Sequence, residues 1–103
     1  MDKINYTEYD KIVEEIKELS VQKNNDYGCR GLIGFGNYGI LVRISDKLDR
    51  LKNIYDNNKK ISNKNEKIED TLKDIVNYAL YMILQERGVL TDGENKKLWW
   101  NRC

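Results

Sequence analysis

Apolar residues recur along this chain with a helical period in three stretches, and no proline interrupts them. Ile12, Val13, Ile16 and Leu19 form the first stripe, on a helix expected from about Thr7 to Lys23. Thr7 is the expected N-cap, with Asp10 completing a weak capping box, and Asn24-Asn25-Asp26-Tyr27-Gly28 supplies turn chemistry to end the helix. Leu41, Ile44, Leu48, Leu51 and Tyr55 make a helix-packing seam on a second helix, about Tyr38 to Tyr55. Ile68, Leu72, Ile75, Val76, Ala79, Leu80 and Ile83 cover one broad face of a third, about Glu66 to Arg87, which Gly88 closes. The pattern predicts an all-α fold: a compact bundle of about three main helices in one domain spanning 1–103. A polar connector, Asp56 to Asn65, joins the second and third helices. A C-terminal tail, about 89–103, carries Leu98-Trp99-Trp100, whose tryptophans read as a packing or subunit anchor.

Five of the seven glycines fall between Gly28 and Gly39, directly before the second helix. Glycine lets a backbone approach a ligand closely and a helix N-terminus favours anions, so this glycine-rich loop is a candidate phosphate site. Gly34-x-Gly36-x-x-Gly39 has the spacing of a dinucleotide-binding turn. A helix precedes it where that turn requires a strand, and Asp56, the acid nearest the required distance, follows a helical seam.

Composition narrows the chemistry. The net charge is +1, so a general affinity for long nucleic acid is not expected. No apolar run is long enough to span a membrane and no signal peptide opens the chain, so a cytoplasmic protein is expected. Histidine is absent, which removes imidazole acid–base catalysis and His–zinc centres. Cys29 and Cys103 make no disulfide framework.

On the second helix Arg43, Asp46, Lys47 and Arg50 share a face turned away from the apolar seam. Asp70, Asp74 and Asn77 do the same on the third. Asp70 and Asp74 are like charges one turn apart and call for a cation: Arg43, Arg50, a divalent metal or a neighbouring subunit. A cleft between two faces that each point away from a core stripe needs cover, and homo-oligomerisation is the simplest source of it.

Lys23-Asn24-Asn25-Asp26-Tyr27-Gly28, Val42-Arg43-Ile44-Ser45-Asp46-Lys47-Leu48-Asp49-Arg50-Leu51 and Glu69-Asp70-Thr71-Leu72-Lys73-Asp74-Ile75-Val76-Asn77-Tyr78-Ala79 resemble the three blocks of the phage nucleotide modification associated domain. That family is similar in turn to the MazG-like and dimeric dUTPase-type pyrophosphohydrolases, and the resemblance covers roughly residues 8–87. It implies a helical dimer or tetramer that handles nucleotides, often in phage. In the hydrolases two acid pairs hold Mg²⁺ on a triphosphate. Asp74 matches the last of these acids, whereas Thr71 stands where its partner would be, and Asp46 lies among cations where the other pair belongs.

Two readings follow. In the first the protein sequesters a nucleotide or a nucleotide-derived signal, linear or cyclic, without cleaving it and without a cofactor. Arg43, Lys47 and Arg50 contact phosphates, Asp70, Asp74 and Asn77 read hydroxyls or base edges, and Tyr27, Phe35 or Tyr38 stacks on the base. A phage could use such a protein to withhold a host defence signal. In the second, Asp46, Asp70 and Asp74 hold Mg²⁺ for pyrophosphohydrolysis of a nucleoside triphosphate. A helical adaptor that binds another protein through Trp99 and Trp100 is the third possibility.

Overall fold

The computed structural model describes residues 2–33, 36–57 and 64–89. Trp99 and Trp100 of the tail, and Phe35, expected to stack on a base, lie outside the described residues. Three helices make up the fold: α1 (Tyr6–Ile33), α2 (Gly36–Asp56) and α3 (Lys64–Glu86). Among the described residues there is no strand, and no helix is long and apolar enough to cross a membrane. The α2–α3 contact is the most extensive, and α1 packs more lightly against both.

Helix α1 begins one residue before the expected N-cap. Asn5, not Thr7, caps it: its Oδ1 accepts the Glu8 amide at 3.1 Å and its carbonyl accepts the Tyr9 amide at 2.9 Å. Asn is at least as good a cap as Thr, and Glu8 places an acid in the first turn. The far end is a larger correction. The polar run Asn24–Asp26 stays helical and the chain breaks direction at Gly28 (φ 75°, ψ 161°), then resumes as helix to Ile33. With no proline to remove an amide, side-chain turn chemistry alone does not end the helix, and the bend falls on a residue without a Cβ.

The expected glycine-rich loop is consequently taken up largely into helices. Residues 28–33 belong to α1 and Gly36–Gly39 open α2, two residues earlier than expected. Gly36 has φ +66°, and a Cβ there would lie 3.3 Å from Nε2 of Gln85. The start of α2 is thereby held against the end of α3, where Asn37 Nδ2 donates to Glu86 Oε1 at 2.8 Å. Helix α3 closes as expected: Gly88 (φ +71°) donates to Gln85 O and Val89 to Leu84 O, both at 3.0 Å, which is a Schellman cap.

The sidedness of the helices departs most from expectation. The buried hydrophobic residues are Ile16, Ile40 and Ile54, with Ile44, Tyr78, Tyr81 and Met82 packed around Ile40. Leu41, Leu48 and Tyr55 of the expected α2 seam are exposed, as are Leu72, Val76, Leu80 and Ile83 of α3. The inward positions of α3 include Thr71, Asp74, Asn77, Tyr78, Tyr81, Met82 and Gln85, so polar groups share that side with the residues packed on Ile40. Asp74 and Asn77 therefore sit on the inner side of the bundle, contrary to their expected placement away from the core, while the apolar stripe faces out.

Candidate functional site

A cationic cluster occupies the junction of the three helices. Lys23 of α1 reaches Asp74 Oδ1 at 2.7 Å and Lys47 of α2 reaches Asp74 Oδ2 at 3.1 Å. Each oxygen of one carboxylate on α3 thus accepts from an ammonium group on a different helix. The Asp74 side chain is 15% exposed and the lysines about twice that. Two cations against one anion leave a net positive charge in a half-buried setting, where charge interactions are stronger than in water.

Burial opposes the charge on Lys23. The Asp74 hydrogen bond and its charge outweigh that penalty, with smaller help from Tyr78 and Tyr81, and the Lys23 pKa is raised above the ordinary lysine value. Lys23 therefore stays charged across the physiological pH range. Tyr78 and Tyr81 meet edge to face at 6.3 Å, and the Tyr81 hydroxyl hydrogen-bonds Ser20 Oγ. The cluster so has an aromatic wall and a hydroxyl beside its cations.

Of the residues singled out in the sequence, Lys47 and Asp74 meet here. Arg43 is half-buried on the same side of α2, four residues before Lys47. Asp46, Arg50 and Asp70 are exposed, and Tyr38 is 78% exposed. Tyr27 lies within α1, and its side chain is not among those described. Asn77 is 5% exposed and its Nδ2 donates to Ile16 O at 3.1 Å, so its side chain ties α3 to α1.

Sequence reasoning missed Lys23, Ser20 and Tyr81. A signal for the first two was present: Ile16, Ser20 and Lys23 are spaced i, i+4 and i+7, so a lysine and a hydroxyl stand on the helix face that carries Ile16.

The donor set does not suit Mg²⁺. That ion needs free carboxylate oxygens in near-octahedral array, whereas both Asp74 oxygens face ammonium groups. Among the described residues no group of three or more Asp, Glu, Cys or His comes together to hold a metal ion. Asp46, Asp70 and Asp74 are accordingly not assembled as a cage.

A second polar cluster lies toward the N-terminal half of α3. Lys73 bridges Glu15 of α1 at 3.0 Å and Glu69 at 3.1 Å, and those two hydrogen bonds raise its pKa. No protein family matches the sequence, and neither a curated protein nor a solved structure matches the chain.

Proposed function

We propose that this protein binds the phosphate of a nucleotide or nucleotide-derived signal at the Lys23–Asp74–Lys47 junction and holds it without cleavage. The observation that carries this reading is the pair of ammonium groups from two helices sharing one carboxylate. Asp74 keeps the lysines oriented while the site is free, and an incoming phosphate competes with it for them. Lys23 and Lys47 supply charge-assisted hydrogen bonds, with Arg43 and Arg50 on the same helix as Lys47. Exposed Tyr38 is available to stack on a base, as Tyr27 and Phe35 are in the sequence reading. Asn77 is reassigned from the ligand to the packing of α1.

The resemblance to the phage nucleotide modification associated domain supplies the biological reading. A phage-encoded protein of this kind would withhold a linear or cyclic immune signal in the host cytoplasm. The same resemblance implies a homo-oligomer, and the exposed Leu41 and Leu48, one heptad apart on α2, support it.

The test is to incubate the protein with a panel of linear and cyclic nucleotides, with and without Mg²⁺, then denature it and identify what is released. Recovery of an intact ligand is expected. Conversion to monophosphate and pyrophosphate with Mg²⁺ alone would restore the hydrolase reading. Lys23→Ala and Lys47→Ala should each weaken binding by roughly tenfold to a hundredfold, the loss of one charge-assisted hydrogen bond. Asp74→Asn, which removes the internal competitor, should bind inorganic phosphate more tightly than the native chain. Unchanged affinity in both lysine variants would sink the assignment.

A further inference from the structure

Beyond the anion site, the outer side of the bundle carries a groove of about 510 Å³ between α1, the end of α2 and the N-terminal half of α3. Its floor is apolar: Ile12, Ile16, Tyr55, Ile68, Leu72 and Val76. Glu69 and Lys73 line its edge, and Glu15 meets the same Lys73 ammonium, so among the described residues this edge gathers two carboxylates around one ammonium. Leu72 and Val76 are 46% and 41% exposed, and the stripe they begin runs through Leu80 and Ile83 toward Val89. An apolar track therefore joins the groove to the last described residue.

Two observations select the occupant. The first is chemistry: residues 96–103 read Lys96-Lys97-Leu98-Trp99-Trp100-Asn101-Arg102-Cys103, an apolar aromatic cluster flanked by cations, complementary to an apolar floor edged by Glu69 and Glu15, which share one ammonium. The second is reach. Val76 to Val89 is about 20 Å along the helix axis, and residues 90–98 can extend about 30 Å. We propose that the Leu98-Trp99-Trp100 segment folds back along the outer face of α3 and seats in this groove of the same chain, with Lys96 and Lys97 against Glu15 and Glu69.

Both tryptophans of the chain lie in this segment, so fluorescence excited selectively in tryptophan, away from the seven tyrosines, reports on it alone. In the full chain the emission should be blue-shifted and protected from acrylamide relative to a free peptide of residues 90–103. Leu72→Asp and Val76→Asp should each shift it to the red while circular dichroism holds. Should either variant lose its helices, Lys96→Glu with Lys97→Glu tests the same seat from the tail, and must also shift the emission to the red. Emission equal to that of the free peptide in the native chain overturns the proposal. So does a blue shift that survives both groove variants or the lysine reversal. A blue shift that fades on dilution while helicity persists places the segment on a second copy and overturns the intramolecular seat.

Discussion

A carboxamide that is 5% exposed must find partners inside the protein, and Asn77 finds one in the Ile16 carbonyl. Asn77→Ala removes that bond and leaves a small void between α3 and α1, which should cost about 1–3 kcal/mol in a urea melt. Nucleotide affinity measured on the folded fraction should be unchanged. A variant as stable as the native chain, but unable to bind ligand, would return Asn77 to the site. Spacing in the sequence placed Asn77 beside Asp74 on one side of α3. Which side that was depended on packing, and spacing does not carry that information. Asp74 was legible as a carboxylate needing a cation, because an acid stands one turn before it. Lys23 was harder to read: it lies far from Asp74 in sequence, and the only hint was a charged residue on the face carrying Ile16.

At the scale of the element, α1 is two helical pieces joined at Gly28, where φ 75° and ψ 161° form a conformation open essentially to glycine. A Cβ at Gly28 would meet nothing within 4 Å, so the obstacle to a side chain is the backbone itself. Gly28→Ala should cost about 1–3 kcal/mol if the bend is retained. Alternatively α1 straightens through position 28 and helicity rises, since alanine favours helix. A thermal melt and circular dichroism distinguish these outcomes; no change in either would mean that the bend is absent in solution. The three helices and the glycine cap at Gly88 were readable from periodicity and terminal signals, which are local. The continuation of α1 past Asn24 was not. Asn, Asp and Gly favour a turn, yet each is tolerated in a helix when tertiary packing holds it there.

Across the whole molecule, the inner side of α3 joins Thr71, Asp74, Asn77 and Gln85 to Tyr78, Tyr81 and Met82, while Leu72, Val76, Leu80 and Ile83 lie outside. Apolar periodicity identified the second set correctly as a stripe, but a stripe specifies burial without specifying against what. An exposed apolar pair such as Leu41 and Leu48 on α2 is unusual for an isolated monomer. Light scattering should show the native chain as an oligomer and Leu41→Lys with Leu48→Lys as a smaller, still helical species. A native chain that scatters as a monomer would remove the proposed assembly.

The inverted arrangement also sets how the protein should respond to temperature. Apolar association weakens on cooling, because its driving force near room temperature is chiefly entropic and carries a large heat-capacity change. The inner seam sets the Lys23–Asp74–Lys47 ion pairs and the Tyr81–Ser20 hydrogen bond beside the apolar cluster of Ile40, so only part of it carries that signature. Contacts made by the outer faces should therefore loosen in the cold while the three helices and the Lys23–Asp74–Lys47 junction persist, so chilling should detach whatever those faces hold and leave the junction in place.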